Sequence, residues 1–187
     1  LIYNLEVPLI VTFHTVLKKP SYTQKSIIEE IGKKVARIVV MSKLAIEILN
    51  EVYKIPKEKI TLIEHGVPDL LTTSREKAKE KFDFTGRKVL LTFGLLSRNK
   101  GIETVIYALP EVVKKHPEVL YVVVGATHPN VLKHSGEEYR NFLKMLVNRL
   151  HLENNVYFYN EYVSEDLLMD FLSATDIYIT PYLSETQ

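Results

Sequence analysis

The sequence has 187 residues, 46% of them hydrophobic, with 24 Lys and Arg against 23 Asp and Glu. That balance argues against a dedicated nucleic-acid binder, which carries a clear basic excess, and the length suits one large domain or two small ones. Cysteine is absent, which excludes disulfides and cysteine-based zinc sites and leaves a reducing compartment permitted.

No apolar run approaches the roughly 20 residues that span a bilayer. The opening LIYNLEVPLIVTFHT lacks the basic n-region and long h-region of a signal peptide. With no initiator Met and a strand-like run near its start, the sequence reads as the middle of a longer protein.

The β-branched and aromatic run PLIVTFH (8–14) predicts a buried strand. Ile27, Ile28, Ile31 and Val35 recur at helical spacing, and RIVVM (37–41) predicts the next strand. Ser42 is a candidate N-cap for a helix with Leu44, Ala45, Ile48, Leu49 and Val52 on one face, followed by the strand KITLI (59–63). From Gly66 to Arg87 the pattern weakens into a polar stretch with one charged helical segment at 74–81, read as a linker.

Alternation then resumes. KVLLTF (88–93) predicts a strand, and Ile102, Val105, Ile106, Leu109 and Val112 a helix stripe. VLYVVV (119–124) is the next strand, and Tyr139, Phe142, Leu143, Leu146 and Leu150 the next stripe. VYFY (156–159), a helix capped by Ser164 with Leu167, Leu168, Phe171 and Leu172 inward, and DIYIT (176–180) complete the pattern. Strand and helix alternating at short intervals predict an α/β fold, with parts of two Rossmann-like units built on parallel sheets.

Ligands of such sheets bind outside the carboxyl ends of the strands. The candidate residues therefore follow each strand: His14 and Thr15, Ser42, His65 and Gly66, the stretch Gly94–Gly101, Gly125–Pro129 and Pro181–Glu185. In FGLLSRNKG (93–101), Arg98 and Lys100 sit just before a helix N-terminus, whose free N–H groups already carry partial positive charge. Two cations there fit a phosphate or diphosphate, with Gly94 and Gly101 permitting close backbone approach; a solvated basic loop is the alternative. The order GK[ST] of a Walker A loop is missing, as is G-x-G-x-x-G. Gly125 ends the following strand in the same manner, either as a ligand turn or as a plain strand-to-loop glycine.

TFHT (12–15), VVMSKLAIEIL (39–49), IEHGVPD (63–69), FGLLSRNKGIETVIYALPEV (93–112), YVVVGATHP (121–129) and SEDLLMDFLSATDIYITPYLSE (164–185) occur in an order that resembles retaining GT-B glycosyltransferases, the large set called group 1 or family 4. The resemblance covers nearly the whole sequence. It implies that 1–68 is the later part of an acceptor-side N-terminal domain, 69–87 a linker with a short helix, and 88–187 the first part of a nucleotide-sugar-binding domain. It further implies a nucleotide-sugar donor such as a UDP- or GDP-hexose, a sugar or lipid-linked acceptor, and hexosyl transfer with retention. Lys100 and Arg98 would stabilise the departing diphosphate without a metal, in keeping with the absence of D-x-D. Glu185 matches the first Glu of the E-x7-E pair and would contact donor-sugar hydroxyls. His14 would lie near the donor across the cleft, and Gly94, Gly101, Gly125 and Thr127 would shape the donor loops. A cytoplasmic location is expected, at the inner membrane face if the acceptor is lipid-linked, with peripheral membrane contact by the parent protein.

The sequence departs from the family pattern at named positions. Leu95 stands where Arg usually follows the first glycine, with Arg98 three residues further on as a candidate replacement. Thr127 replaces the second glycine of the next turn. The second Glu of the pair falls outside the sequence, so activity is expected of the parent enzyme rather than of this piece. Two other readings stay open: a GT-B relative such as a sugar-nucleotide epimerase, and a non-catalytic nucleotide-binding or scaffold domain.

Overall fold

The computed structural model describes residues 7–66 and 73–183, of which the first stretch falls in one compact unit and the second in another. In the first unit, β1 (Ile10–Phe13), β2 (Arg37–Val40) and β3 (Ile60–Leu62) pair in parallel in that order. Between β1 and β2 runs α1 (Tyr22–Lys34), opened by a capping box in which the Ser21 hydroxyl accepts from the Gln24 N–H and the Gln24 side chain accepts from the Ser21 N–H. Between β2 and β3 runs α2 (Lys43–Glu51), capped as expected by Ser42, whose Oγ accepts from the Ala45 N–H at 3.2 Å. The core joins Ile38 and Val40 of β2 to Ala45, Ile48 and Leu49 of α2 and to Val35, Tyr53, Ile55 and Ile60. Ile27 was expected on the buried stripe but is exposed, since α1 turns Ile28 and Ile31 inward instead.

The second unit carries β4 (Lys88–Phe93), β5 (Val119–Val124), β6 (Val156–Tyr159) and β7 (Ile177–Tyr178), all parallel, in the order β6-β5-β4-β7. Every residue of β5 is buried, as a strand covered on both faces requires. One face is covered by α4 (Ile102–Lys115) and α6 (Glu138–Arg149) through Ile102, Ile106, Leu109, Tyr139, Leu143 and Leu146. The other is covered by α7 (Glu165–Ser173) and by the aromatic cluster Phe82, Phe84 and Phe171. Val112, expected on the α4 stripe, is exposed.

The stretch 69–87, expected as a linker, contributes structure to this second unit over its described part. Its helix α3 (Arg75–Lys81) packs on α7, with the Lys79 ammonium donating to the Asp176 carboxylate at 2.6 Å. The Phe82 and Phe171 rings stack with centroids 4.1 Å apart. The polar face of REKAKEK hid this role in the sequence, since Ala78 is the only buried residue of α3. A short helix α5 (Pro129–Ser135) fills part of a stretch read as a turn. No helix among the described residues is long and apolar enough to cross a membrane.

Candidate functional site

In the second unit the chain leaves β4 toward β5 on one side, and β7 returns to pair with β4 on the other. The strand order therefore reverses between β4 and β7, and in open sheets of this kind ligands bind outside the carboxyl ends of the strands at such a point. The loops that end these strands form the candidate site. Beneath it, the Tyr121 hydroxyl donates to Thr92 Oγ1 at 2.9 Å, and Thr92 Oγ1 donates to the Ile179 carbonyl at 2.7 Å. This buried relay ties β5, β4 and the end of β7 together, and burial pushes the Tyr121 phenol well above its ordinary pKa.

The loop after β4 runs from Gly94 to Gly101 and ends in a short 3₁₀ turn over Arg98–Lys100. Gly101 adopts φ +61°, and a side-chain carbon there would lie 2.2 Å from the Pro181 carbonyl oxygen. The close approach that the sequence assigned to a phosphate is thus made at Gly101 by the backbone after β7. The Leu183 N–H donates to the Asn99 carbonyl at 3.0 Å and fastens the same two segments.

The two cations of this loop point to different neighbours. The Lys100 ammonium donates to the Tyr182 hydroxyl at 2.7 Å, lies 4.2 Å from the centre of that ring, and packs against Gly94. Tyr178 bonds Tyr182 in turn; burial first, then Tyr182, raises the Tyr178 pKa. Lys100 thus stands at the switch point. Arg98, by contrast, pairs with Glu138 of α6 at 2.6 Å and lies 5.6 Å from the ring centres of both Tyr139 and Phe142. The structure does not bring Arg98 together with Lys100 as a pair aimed at one anion.

The α4 N-terminus also differs from the expectation of an open anion site. The Ile102 N–H donates to the hydroxyl of buried Tyr139 at 3.2 Å, and that hydroxyl donates to the Glu103 carboxylate. Burial first, then Glu103, raises the Tyr139 pKa. A neutral phenol therefore satisfies a helix-end donor that the sequence left for a ligand.

The loop after β5 begins at Gly125, with φ +141°. A side-chain carbon there would sit 2.2 Å from the Gly94 carbonyl oxygen, so only glycine lets the two loops touch. The Leu96 N–H donates to the Ala126 carbonyl at 2.9 Å and the His128 N–H to the Leu96 carbonyl at 3.0 Å, which extends the sheet by one bridge, Leu96 to Thr127. Thr127 is 6% exposed, and its hydroxyl donates to Glu137 at 2.6 Å and accepts from Arg140 at 3.1 Å. Sequence reasoning missed Arg140, whose guanidinium also reaches the Gly125 carbonyl, Glu137 and Asn160. The Thr127 hydrogen bond, aided by Arg140 against a burial cost, holds the Glu137 carboxyl below its usual range.

In the first unit, His14 is exposed at the carboxyl end of β1, with its ring centre 6.1 Å from that of His65. Glu185 lies outside the described residues. Among the described residues no three His, Asp or Glu side chains converge in a metal-binding group.

Comparison with known proteins accords with this geometry. Residues 74–186 match the family described as Glycosyl transferases group 1, and residues 1–69 match Glycosyltransferase Family 4. The chain is 27% identical over 148 residues to mannosylfructose-phosphate synthase of Agrobacterium fabrum, covering 76% of this chain and 32% of that protein. It is 25% identical to alpha-monoglucosyldiacylglycerol synthase of Streptococcus pneumoniae, covering 98% of this chain and 43% of that one. A crystal structure of Anabaena HepE in complex with UDP shares the fold with a TM-score of 0.81 at 21% identity, over 96% of this chain and 48% of that one. The chain thus spans less than half the length of these relatives.

Proposed function

The chain belongs to the glycosyl transferases group 1, and from that premise we propose that the protein containing it moves a hexosyl group from a nucleotide diphosphate sugar to a sugar or lipid-linked acceptor, with retention of configuration. The observation that carries this reading is Lys100, whose ammonium is held by Tyr182 where the strand order reverses. A departing nucleoside diphosphate gathers negative charge, and a cation fixed where that charge develops lowers the barrier. Lys100 takes this role without a divalent metal. Arg98 acts on the loop through Glu138 rather than on the diphosphate.

The remaining assignments rest on the family pattern. Glu185 accepts hydrogen bonds from donor-sugar hydroxyls, and His14 is the candidate residue of the acceptor-side unit. Gly94, Gly101, Gly125 and Thr127 shape the donor loops. The complex of the Anabaena relative with UDP supports a uridine donor as the first to try.

The test is a panel of UDP- and GDP-sugars offered to the intact protein with EDTA present, scored by released nucleotide. Release from one donor class, undiminished by EDTA, is the expected result. Nucleotide binding without release from any donor would make the domain a non-catalytic binder. Neither binding nor release would overturn the reading.

A further inference from the structure

Four consecutive residues at the start of α6 hold the two strand-end loops and the helix that follows one of them. Glu137 accepts from the Thr127 hydroxyl of the loop after β5. Glu138 pairs with Arg98 of the loop after β4. Tyr139 places its hydroxyl on the Ile102 N–H, just past that loop. Arg140 donates to the Gly125 carbonyl at 3.2 Å, to the Thr127 hydroxyl at 3.1 Å, to Glu137 at 2.9 Å and to the side chain of Asn160 beyond β6.

We propose that this Glu137–Arg140 turn is the positioning element of the donor site, with Arg140 as the residue that sets the loop after β5. The proposal rests on the donor reading above. Arg140 is 6% exposed, and a buried guanidinium is costly unless its N–H groups are matched. Here that cost falls at the carboxyl ends of β5 and β6, on the side where a ligand would lie. All three guanidinium nitrogens have protein partners, so Arg140 acts through the loop rather than on a substrate. The planar fork reaches several points at once in a way that a lysine ammonium cannot. Thr127 joins the same device: where the family places a glycine, its hydroxyl links Glu137 to Arg140.

The test compares Arg140→Gln, Arg140→Lys and Thr127→Val in the intact protein. Two readouts apply: hydrogen exchange at the Leu96 and His128 amides relative to those of β5, and calorimetric affinity for UDP and for GDP. Arg140→Gln should speed exchange at both loop amides and weaken nucleotide binding, each by about tenfold or more, as loss of hydrogen bonds to a charged group implies. Arg140→Lys should recover little of either. A purely structural role would instead raise exchange in β5 and the loops alike, lower the melting temperature, and leave the folded protein's nucleotide affinity intact. That pattern, unchanged exchange at Leu96 and His128, or full rescue by lysine would overturn the proposal. Should Arg140→Gln fail to fold, Thr127→Val carries the same readouts with a smaller expected change. If the wild-type protein binds neither UDP nor GDP, the donor reading falls, and exchange at the two amides still decides whether Arg140 positions the loop.

Discussion

The loops after β4 and β5 leave neighbouring strands of one sheet, and each begins with a glycine of positive φ, yet opposite means hold them. The loop after β4 presents charge: Arg98 and Lys100 project from it to partners on α6 and beyond β7. The loop after β5 carries no Lys or Arg and is shaped from behind by a buried charge, Arg140. One loop carries its cations on its own residues, and the other is held by a cation that α6 supplies. In such a site the most buried ionic group belongs to the support, and the group available to a ligand is the less buried one.

The sharpest way to break this comparison is to remove the contact the two loops share. Gly125→Ala would put a methyl into the Gly94 carbonyl while forcing a positive φ on a residue that carries a Cβ. Backbone strain and overpacking together should cost about 4 kcal/mol, measured by denaturant unfolding. Near-wild-type stability would show that the loops do not touch as described.

Next comes the division of labour between the cations. Lys100→Ala should weaken nucleotide binding by about 1.5–3 kcal/mol, the range for a hydrogen bond to a charged group. Arg98→Ala breaks an ion pair whose side chains are 58% and 62% exposed, and should change affinity by less than about 1 kcal/mol. Calorimetry on both variants decides it, and equal losses would restore Arg98 as a partner in anion binding.

The smallest effect is a pH dependence confined to the loop after β5. The folded pKa of Glu137 is depressed, chiefly by the Thr127 hydroxyl. Its stabilisation is therefore present above the unfolded carboxylate pKa and is lost as pH falls through the folded value. Wild type should melt above Glu137→Gln at neutral pH, and the gap should close on acidification through that window. The gap will be modest, because the side chain is 42% exposed and water screens it. A gap that persists below the window would remove the carboxylate from the account.

Much of the fold could be read in advance because its signals are local. The run VLYVVV had to be a covered central strand, and Ser42 and Ser164 both cap helices as expected, Ser164 by accepting from the Leu167 N–H. What escaped depends on long-range partners. α5 has no buried residue and so no stripe; its only sign was Pro129 at the first helical turn, after His128, whose ring accepts from the Asn130 N–H. Arg140 is a polar residue inside the Tyr139–Leu143 stripe, and nothing local says its guanidinium turns back to Gly125. The residue types of the cationic loop were legible, but not the direction of Arg98, which Glu138, 40 positions away, decides.

Asp176 stands at the start of β7, where its carboxylate accepts from the Val89 N–H at 2.8 Å and binds Lys79 of α3 at 2.6 Å. Those partners are made early on the ribosome, whereas Asp176 emerges 97 residues after Lys79. Until then one side of β4 is an unpaired edge, open to pairing with another chain. Pro181 and Tyr182, which seat Gly101 and Lys100, leave later still. The cationic loop is therefore among the first strand-end segments of its unit to be synthesised and the last to acquire its shape, and the strand that carries it keeps an open edge until β7 is made.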